Sequence, residues 1–193
     1  MESGILDHII VSTEDAEVAE EAKKLGLDVP FMRPEYLAQD PAGVVDVALH
    51  ALSEIRKLGG GDYQTLVIML PTCPFRLALD IQAAYRQFVE EGAKFLMSVS
   101  PYPHTPFAAL NLDGGLLEPF FPDFFDKKSQ ELPVAYRPNG AIHILDVHAF
   151  EKERSYSARP LHGYIMPLER SIDIDTAHDL NFAESTLHTN GHI

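Results

Sequence analysis

The chain has 193 residues, enough for one domain with a substantial core. Its hydrophobic fraction of 46% and charged fraction of 23% are ordinary globular values and exclude a disordered chain. A formal net charge of −14 repels polyanions and argues against a nucleic-acid partner.

Ile5 to Ser12 ends in a short apolar run and reads as a buried strand. Thr13-Glu14-Asp15 opens a helix with Ala16, Ala19, Ala22 and Leu25 on one stripe, and Gly26 ends it. Val29 to Met32 reads as a second strand interrupted by Pro30. Asp40-Pro41 reads as a cap with proline at the first helical position. The following helix sets Val44, Ala48, Leu52 and Ile55 at core spacing, and Gly59-Gly60-Gly61 stops it. Thr65 to Leu70 is continuously apolar, the pattern of a central parallel strand covered on both faces. Another helix carries Ile81, Ala84, Tyr85 and Phe88, and Phe95 to Val99 is the next strand. This alternation predicts a layered α/β domain with a mainly parallel sheet, one domain over 1–193.

The pattern changes between about Pro101 and Arg137, where six prolines and Phe120, Phe121, Phe124 and Phe125 crowd together without periodicity. Such a segment reads as a loop or arm. The phenylalanines need cover, from a partner subunit or from the parent domain. Ala141 to Leu145 then reads as a buried strand, and Tyr164–Met166 and Ile172–Ile174 as further strands. Ala177, Leu180, Ala183 and Leu187 mark a final helix, and Thr189 to Ile193 a frayed tail. No apolar run approaches the roughly 18 residues of a membrane span, and the acidic N-terminus does not look like a signal peptide. The expected location is cytoplasmic.

Three stretches carry chemistry. In Arg170-Ser171-Ile172-Asp173-Ile174-Asp175-Thr176, two carboxylates at i and i+2 share one face if the segment is a strand. That is a hard-oxygen pair suited to Mg²⁺, which takes one or two carboxylates plus substrate phosphates. The alternative is a solvent-facing edge before a helix capped by Asp175 or Thr176. Leu70-Pro71-Thr72-Cys73-Pro74-Phe75-Arg76 follows a strand, on the side where α/β sheets bind ligands. Arg76 there meets a phosphate or carboxylate, or is simply solvated. Cys73, the single cysteine, forms no intrachain disulfide and reads as a small packing residue. Tyr136-Arg137-Pro138-Asn139-Gly140 enters a buried strand, and Asn-Gly on its own reads as a turn. The nine histidines show no ligand spacing; His188 and His192 stand four apart in the tail.

Together with Asp7 to Asp15, these stretches, taken in chain order, resemble the acylneuraminate cytidylyltransferases, also called CMP-sialic acid synthetases. The resemblance runs over nearly the whole chain. It implies a three-layer α/β/α nucleotide-diphospho-sugar transferase-like fold, with a projecting dimerisation arm at about 101–137 in a homodimer or tetramer. It also implies that CTP and an acidic nine-carbon 2-keto sugar form a CMP-sugar with release of pyrophosphate, assisted by Mg²⁺. By resemblance, Asp173 and Asp175 are the metal carboxylates and catalytic together with Arg76. Leu70, Thr72, Cys73, Tyr136, Arg137 and Asn139 lie at the substrates, Asn139 near the sugar. Lys127 and Lys128 sit where the family is basic and meet sugar carboxylate or phosphate. The family opens with a strand and a Gly-rich CTP loop; Met1 aligns within the helix after them, which implies weak CTP binding. Leu70 replaces a usual Gln and Cys73 a usual Ser, which points to a related acidic sugar rather than N-acetylneuraminate. The alternatives are an inactive remnant serving as a binding or assembly module, and a nucleotidyltransferase for a different acidic sugar.

Overall fold

The computed structural model describes residues 3–190. In chain order they form α1 (Ala16–Lys24), α2 (Val44–Lys57), β1 (Thr65–Ile68), α3 (Ala78–Glu90), β2 (Phe95–Pro101), β3 (Leu110–Asp113), β4 (Leu116–Pro119), α4 (Pro122–Phe125), β5 (Tyr136–Asp146), α5 (Val147–Glu153), β6 (Leu161–Ile165) and α6 (Ala177–Asn190). The chain divides into two compact units. The first gathers the described residues up to Met69 with Leu77–Met97 and Ile142–His162; the second gathers Leu70–Arg76, Ser98–Ala141 and the described residues from Gly163 onward.

In the first unit, the Asp15 carboxylate accepts from the Glu17 and Val18 amides at 2.7 and 3.2 Å and starts α1. Ala19 and Ala22 are its buried face. The strands expected at Ile5–Ser12 and Val29–Met32 are corrected to two extended stretches that meet at one parallel bridge, Ile10 to Asp28. Val11 N donates to Asp28 O and Arg33 N to Thr13 O, both at 2.8 Å. Pro30 and Pro34 have no N–H to extend a ladder. The expected cap of α2 also shifts: the Asp46 carboxylate accepts from Gly43 N at 3.1 Å, so the helix starts after Gly43 and Asp40-Pro41 stays outside it.

The sheet order is β1-β5-β2-β6. β1 pairs antiparallel with β5, from Thr65 opposite Asp146 to Ile68 opposite His143. The sheet is therefore mixed, and β1 stands at its edge rather than at its centre. The unbroken apolar run of β1 reports packing, not strand direction: Leu66 and Ile68 lie against a core of Ala48, Leu52, Phe95, Leu145, Val147 and Phe150. Burying a phenylalanine such as Phe150 contributes about 1.5–3 kcal/mol. Among the described residues no helix is long and apolar enough to cross a membrane.

In the second unit, the arm contains a hairpin that the prolines concealed. β3 and β4 pair antiparallel across Gly114-Gly115, whose φ values of +53° and +87° suit a two-residue turn. Phe107 packs on Phe121 and Phe124 at ring distances of 5.4 and 4.7 Å, so part of the aromatic cover comes from the arm itself. Leu112, Leu116, Leu117 and Phe120 stay exposed. Ile172–Ile174, expected as a strand, is irregular backbone held by one bond, Ile174 N to Thr72 O at 2.9 Å. α6 buries Ala183 with Phe75 and Ile172, whereas Leu180 and Leu187 of the expected stripe are exposed. His192 lies outside the described residues, as does the side chain of His188.

Candidate functional site

The turn after β1 is closed by its own backbone and clamped by an arginine. Cys73 N donates to Leu70 O at 3.3 Å. Arg76 Nη1 donates to Leu70 O and Cys73 O, both at 2.7 Å. Pro71 and Pro74 hold the chain off helical geometry, and buried Phe75 anchors the turn from below. Burial pulls Arg76 below its ordinary pKa, but a guanidinium keeps its charge in proteins. Arg76 thus shapes the loop through one nitrogen.

Asn139 is 3% exposed and joins four pieces of backbone. Its Oδ1 accepts from Ser98 Oγ at 2.5 Å and from Ala141 N at 3.2 Å. Its Nδ2 donates to Ser171 Oγ at 2.9 Å and lies 3.5 Å from Met166 Sδ. Ser171 Oγ in turn donates to Pro167 O at 2.8 Å. A buried amide with both ends satisfied fixes register rather than offering free donors. The Asn139-Gly140 pair lies inside β5 and is not a reverse turn. Gly140 has φ +69°, and a Cβ there would stand 3.1 Å from Cys73 Sγ, 3.3 Å from Leu70 Cδ1 and 3.7 Å from Asp173 Oδ2. Glycine is required both by backbone angle and by close approach.

Asp173 is half-buried above this glycine, with Oδ1 3.4 Å from Cys73 Sγ. Cys73 is fully buried and also donates to Asn139 O at 3.1 Å. Asp175 is exposed at the mouth of α6, where Thr176 is the cap. Asp179 Oδ2 accepts from the Thr176 amide at 2.8 Å, and Thr176 Oγ1 accepts from Asp179 N at 3.3 Å. The Thr176 hydroxyl, donating to the same carboxylate, holds Asp179 below its usual pKa.

The structure therefore gathers Leu70, Cys73, Asn139, Gly140 and Asp173, with Thr72 bonded through its carbonyl to Ile174 and Arg76 bracing the turn. Lys127 lies 4.6 Å over the Phe124 ring inside the arm. Lys128, Tyr136 and Arg137 are exposed. Gly140, Ser98, Ser171 and Met166 complete the site without a role of their own that residue type alone would announce. Only Gly140 left a trace in the sequence, in its Asn-Gly dipeptide; serines and a methionine facing a buried amide leave none. The first unit holds a separate cavity of ≈ 200 Å³ lined by residues such as Leu6, Ile10, Leu52 and Leu66, and none of the predicted site residues reaches it.

No group of three or more His, Cys, Asp or Glu side chains gathers to hold a metal among the described residues. Mg²⁺ does not require such a group: it needs one or two carboxylates and takes its remaining ligands from phosphates and water. Asp173 above a glycine cradle, with exposed Asp175 two residues on, fits that requirement. The Cys73 sulfur is too soft a donor to compete for such an ion.

No family model matches the chain. Named relatives do. Pseudaminic acid cytidylyltransferase of Campylobacter jejuni is 28% identical over 185 residues, 95% of this chain and 79% of that protein. CMP-N,N'-diacetyllegionaminic acid synthase of Legionella pneumophila is 28% identical over 98% of this chain and 82% of its own length. N-acylneuraminate cytidylyltransferase of Escherichia coli is 29% identical over 95% of this chain, which spans 42% of that longer protein. The solved structure of CMP:2-keto-3-deoxy-manno-octonic acid synthetase complexed with CTP superposes with a TM-score of 0.64 at 11% identity, covering 95% of this chain and 82% of that one. The last likeness shows the fold, a nucleotidyltransferase-like α/β arrangement.

Proposed function

We propose that this chain, a relative of the acylneuraminate-type cytidylyltransferases, forms a CMP-sugar from CTP and an acidic nine-carbon 2-keto sugar, with release of pyrophosphate. The observation that carries the proposal is the convergence of Leu70, Cys73, Gly140 and Asp173 on one cradle, within a chain whose relatives are named for this reaction on three different acidic sugars. Asp173 and Asp175 are the residues that would hold Mg²⁺. When bound, Mg²⁺ neutralises phosphate charge and helps align an in-line displacement. The chain's own contribution is placement. The Arg76 clamp fixes the turn carbonyls, the Asn139 network fixes the β5 backbone, and the missing Cβ of Gly140 gives Cys73 Sγ and Leu70 Cδ1 the space to approach that backbone beside Asp173. The apolar Leu70 side chain bordering that space offers no amide, which favours a sugar other than N-acetylneuraminate. Tyr136, Arg137, Lys127 and Lys128 are the remaining substrate contacts in this proposal, the cations meeting sugar carboxylate or phosphate. The reaction runs in the cytoplasm in this proposal.

The arm makes the protein a homodimer in this proposal: four exposed large apolar residues on a two-stranded hairpin need cover, and a second copy supplies it. The same surface favours a second reading, an assembly module without turnover.

The deciding experiment measures pyrophosphate released from CTP and Mg²⁺ with pseudaminic, N,N'-diacetyllegionaminic and N-acetylneuraminic acids in turn. Release with one of the first two, abolished by Asp175→Ala, supports the enzyme. Silence with every sugar from a folded, CTP-exposed protein supports the assembly module.

A further inference from the structure

The Cys73 side chain has one thiol proton and faces three oxygens, the Asn139 carbonyl at 3.1 Å, Asp173 Oδ1 at 3.4 Å and, farther off, Thr72 Oγ1 at 3.8 Å. An ordinary thiol, with a pKa of about 8.5, already carries its proton at neutral pH. The surroundings leave the side chain little freedom to move. Cys73 is fully buried, its Sγ bonds to the Asn139 carbonyl, and that carbonyl belongs to a residue whose side chain is bonded at both ends. What remains free is rotation of the S–H about the Cβ–Sγ bond. A hydrogen bond to a carboxylate is stronger than one to a neutral carbonyl, but a cation on that carboxylate removes the advantage.

We propose that Cys73 is a positioning residue for Asp173: its thiol proton steers the carboxylate by Oδ1 while no cation is bound, and turns to the Asn139 carbonyl when Mg²⁺ takes the carboxylate. Asp173 enters here as the metal carboxylate proposed above. The thiol then acts as a placeholder. It keeps the carboxylate aimed at the cradle without a permanent positive charge beside it, which a lysine or arginine would impose and which would repel the ion. Partners of metal ligands typically change metal affinity by about 10–100-fold when removed.

With one cysteine in 193 residues, the S–H stretching band in the infrared spectrum of the intact protein reports this side chain alone. Titrating MgCl₂ in the presence of CTP should move the band to higher frequency and narrow it, as the charge-assisted bond is exchanged for a neutral one. In parallel, Cys73→Ala should raise the half-saturating Mg²⁺ for CTP binding about tenfold, while Cys73→Ser, which keeps a donor, stays within about threefold of the unmodified chain. A purely packing role would move the unfolding midpoints of both variants and leave the band fixed. If Cys73→Ala fails to fold, the band titration on the unmodified chain still decides. A static band through saturating Mg²⁺ and CTP, or equal Mg²⁺ demand in the two variants, overturns the positioning role alone. CTP binding that never depends on Mg²⁺ overturns it together with the metal assignment of Asp173.

Discussion

The second unit has its own small apolar cluster, Phe75, Ile172 and Ala183, but differs from the first in also burying a polar network. The first has a core of Ala48, Leu52, Phe95, Leu145, Val147 and Phe150, side chains without a polar atom. The heart of the second is a buried amide, Asn139, bonded to Ser98, Ser171 and the Ala141 amide, with a thiol and a carboxylate one step away. Apolar burial is non-directional and tolerates repacking, whereas a polar network fixes angles and is costly when half-broken. The scaffold therefore lies in the tolerant material and the candidate chemistry in the directional material.

The contrast predicts mutants of opposite character. The largest effect falls on activity: Asp175→Ala, or Asp173→Asn, should lower Mg²⁺-dependent pyrophosphate release by about 10²–10³-fold while the urea midpoint stays put. Normal turnover in either variant would show that the carboxylates do not hold the ion. In the first unit, Phe150→Ala should cost about 3–5 kcal/mol in urea unfolding while leaving the KM for CTP unchanged in the folded fraction. Asn139→Leu should cost about 1–3 kcal/mol by stranding its buried partners and should also raise KM, a paired loss that an apolar truncation does not give. Gly140→Ala, strained at φ +69° and crowding Cys73 Sγ at 3.1 Å, should cost about 1–2 kcal/mol and be felt more in turnover than in stability.

The smallest effect is a pH dependence in the first unit. His143 is buried with Nδ1 unpartnered and its ring edge-on to Tyr156 at 4.9 Å. Burial lowers its pKa, so the folded state binds its proton less readily than the unfolded chain. The neutral ring's contribution is complete above about pH 6.5 and is lost as pH falls through that value and below. The urea midpoint should decline on acidification, and His143→Phe should flatten that decline.

Much of the first unit could be read from residue order. The stripes Ala19–Ala22 and Ala48–Leu52–Ile55 announced α1 and α2, because helical period is a local property. The start of α2 was less legible: Asp40-Pro41 reads as its cap, but the Asp46 carboxylate bonds to Gly43 N and the helix starts there. Strand direction was not local at all, and β1 gave no hint that its partner runs antiparallel. At the site, the Asp pair and the Pro-Thr-Cys-Pro turn stood out by residue type. Their mutual placement depends instead on one backbone bond, Ile174 N to Thr72 O, and on a left-handed glycine. The hairpin in the arm had a signature, Gly-Gly between Asp113 and Leu116, that the surrounding prolines obscured.

The burial of the sole thiol has a practical consequence. Alkylating reagents need an accessible thiolate, and Cys73 in the native protein is neither accessible nor ionised near neutrality. Its labelling rate is therefore a clock for transient opening around the 70–76 turn. Every cysteine introduced on the surface, for a dye or a spin label, can be read against a silent background.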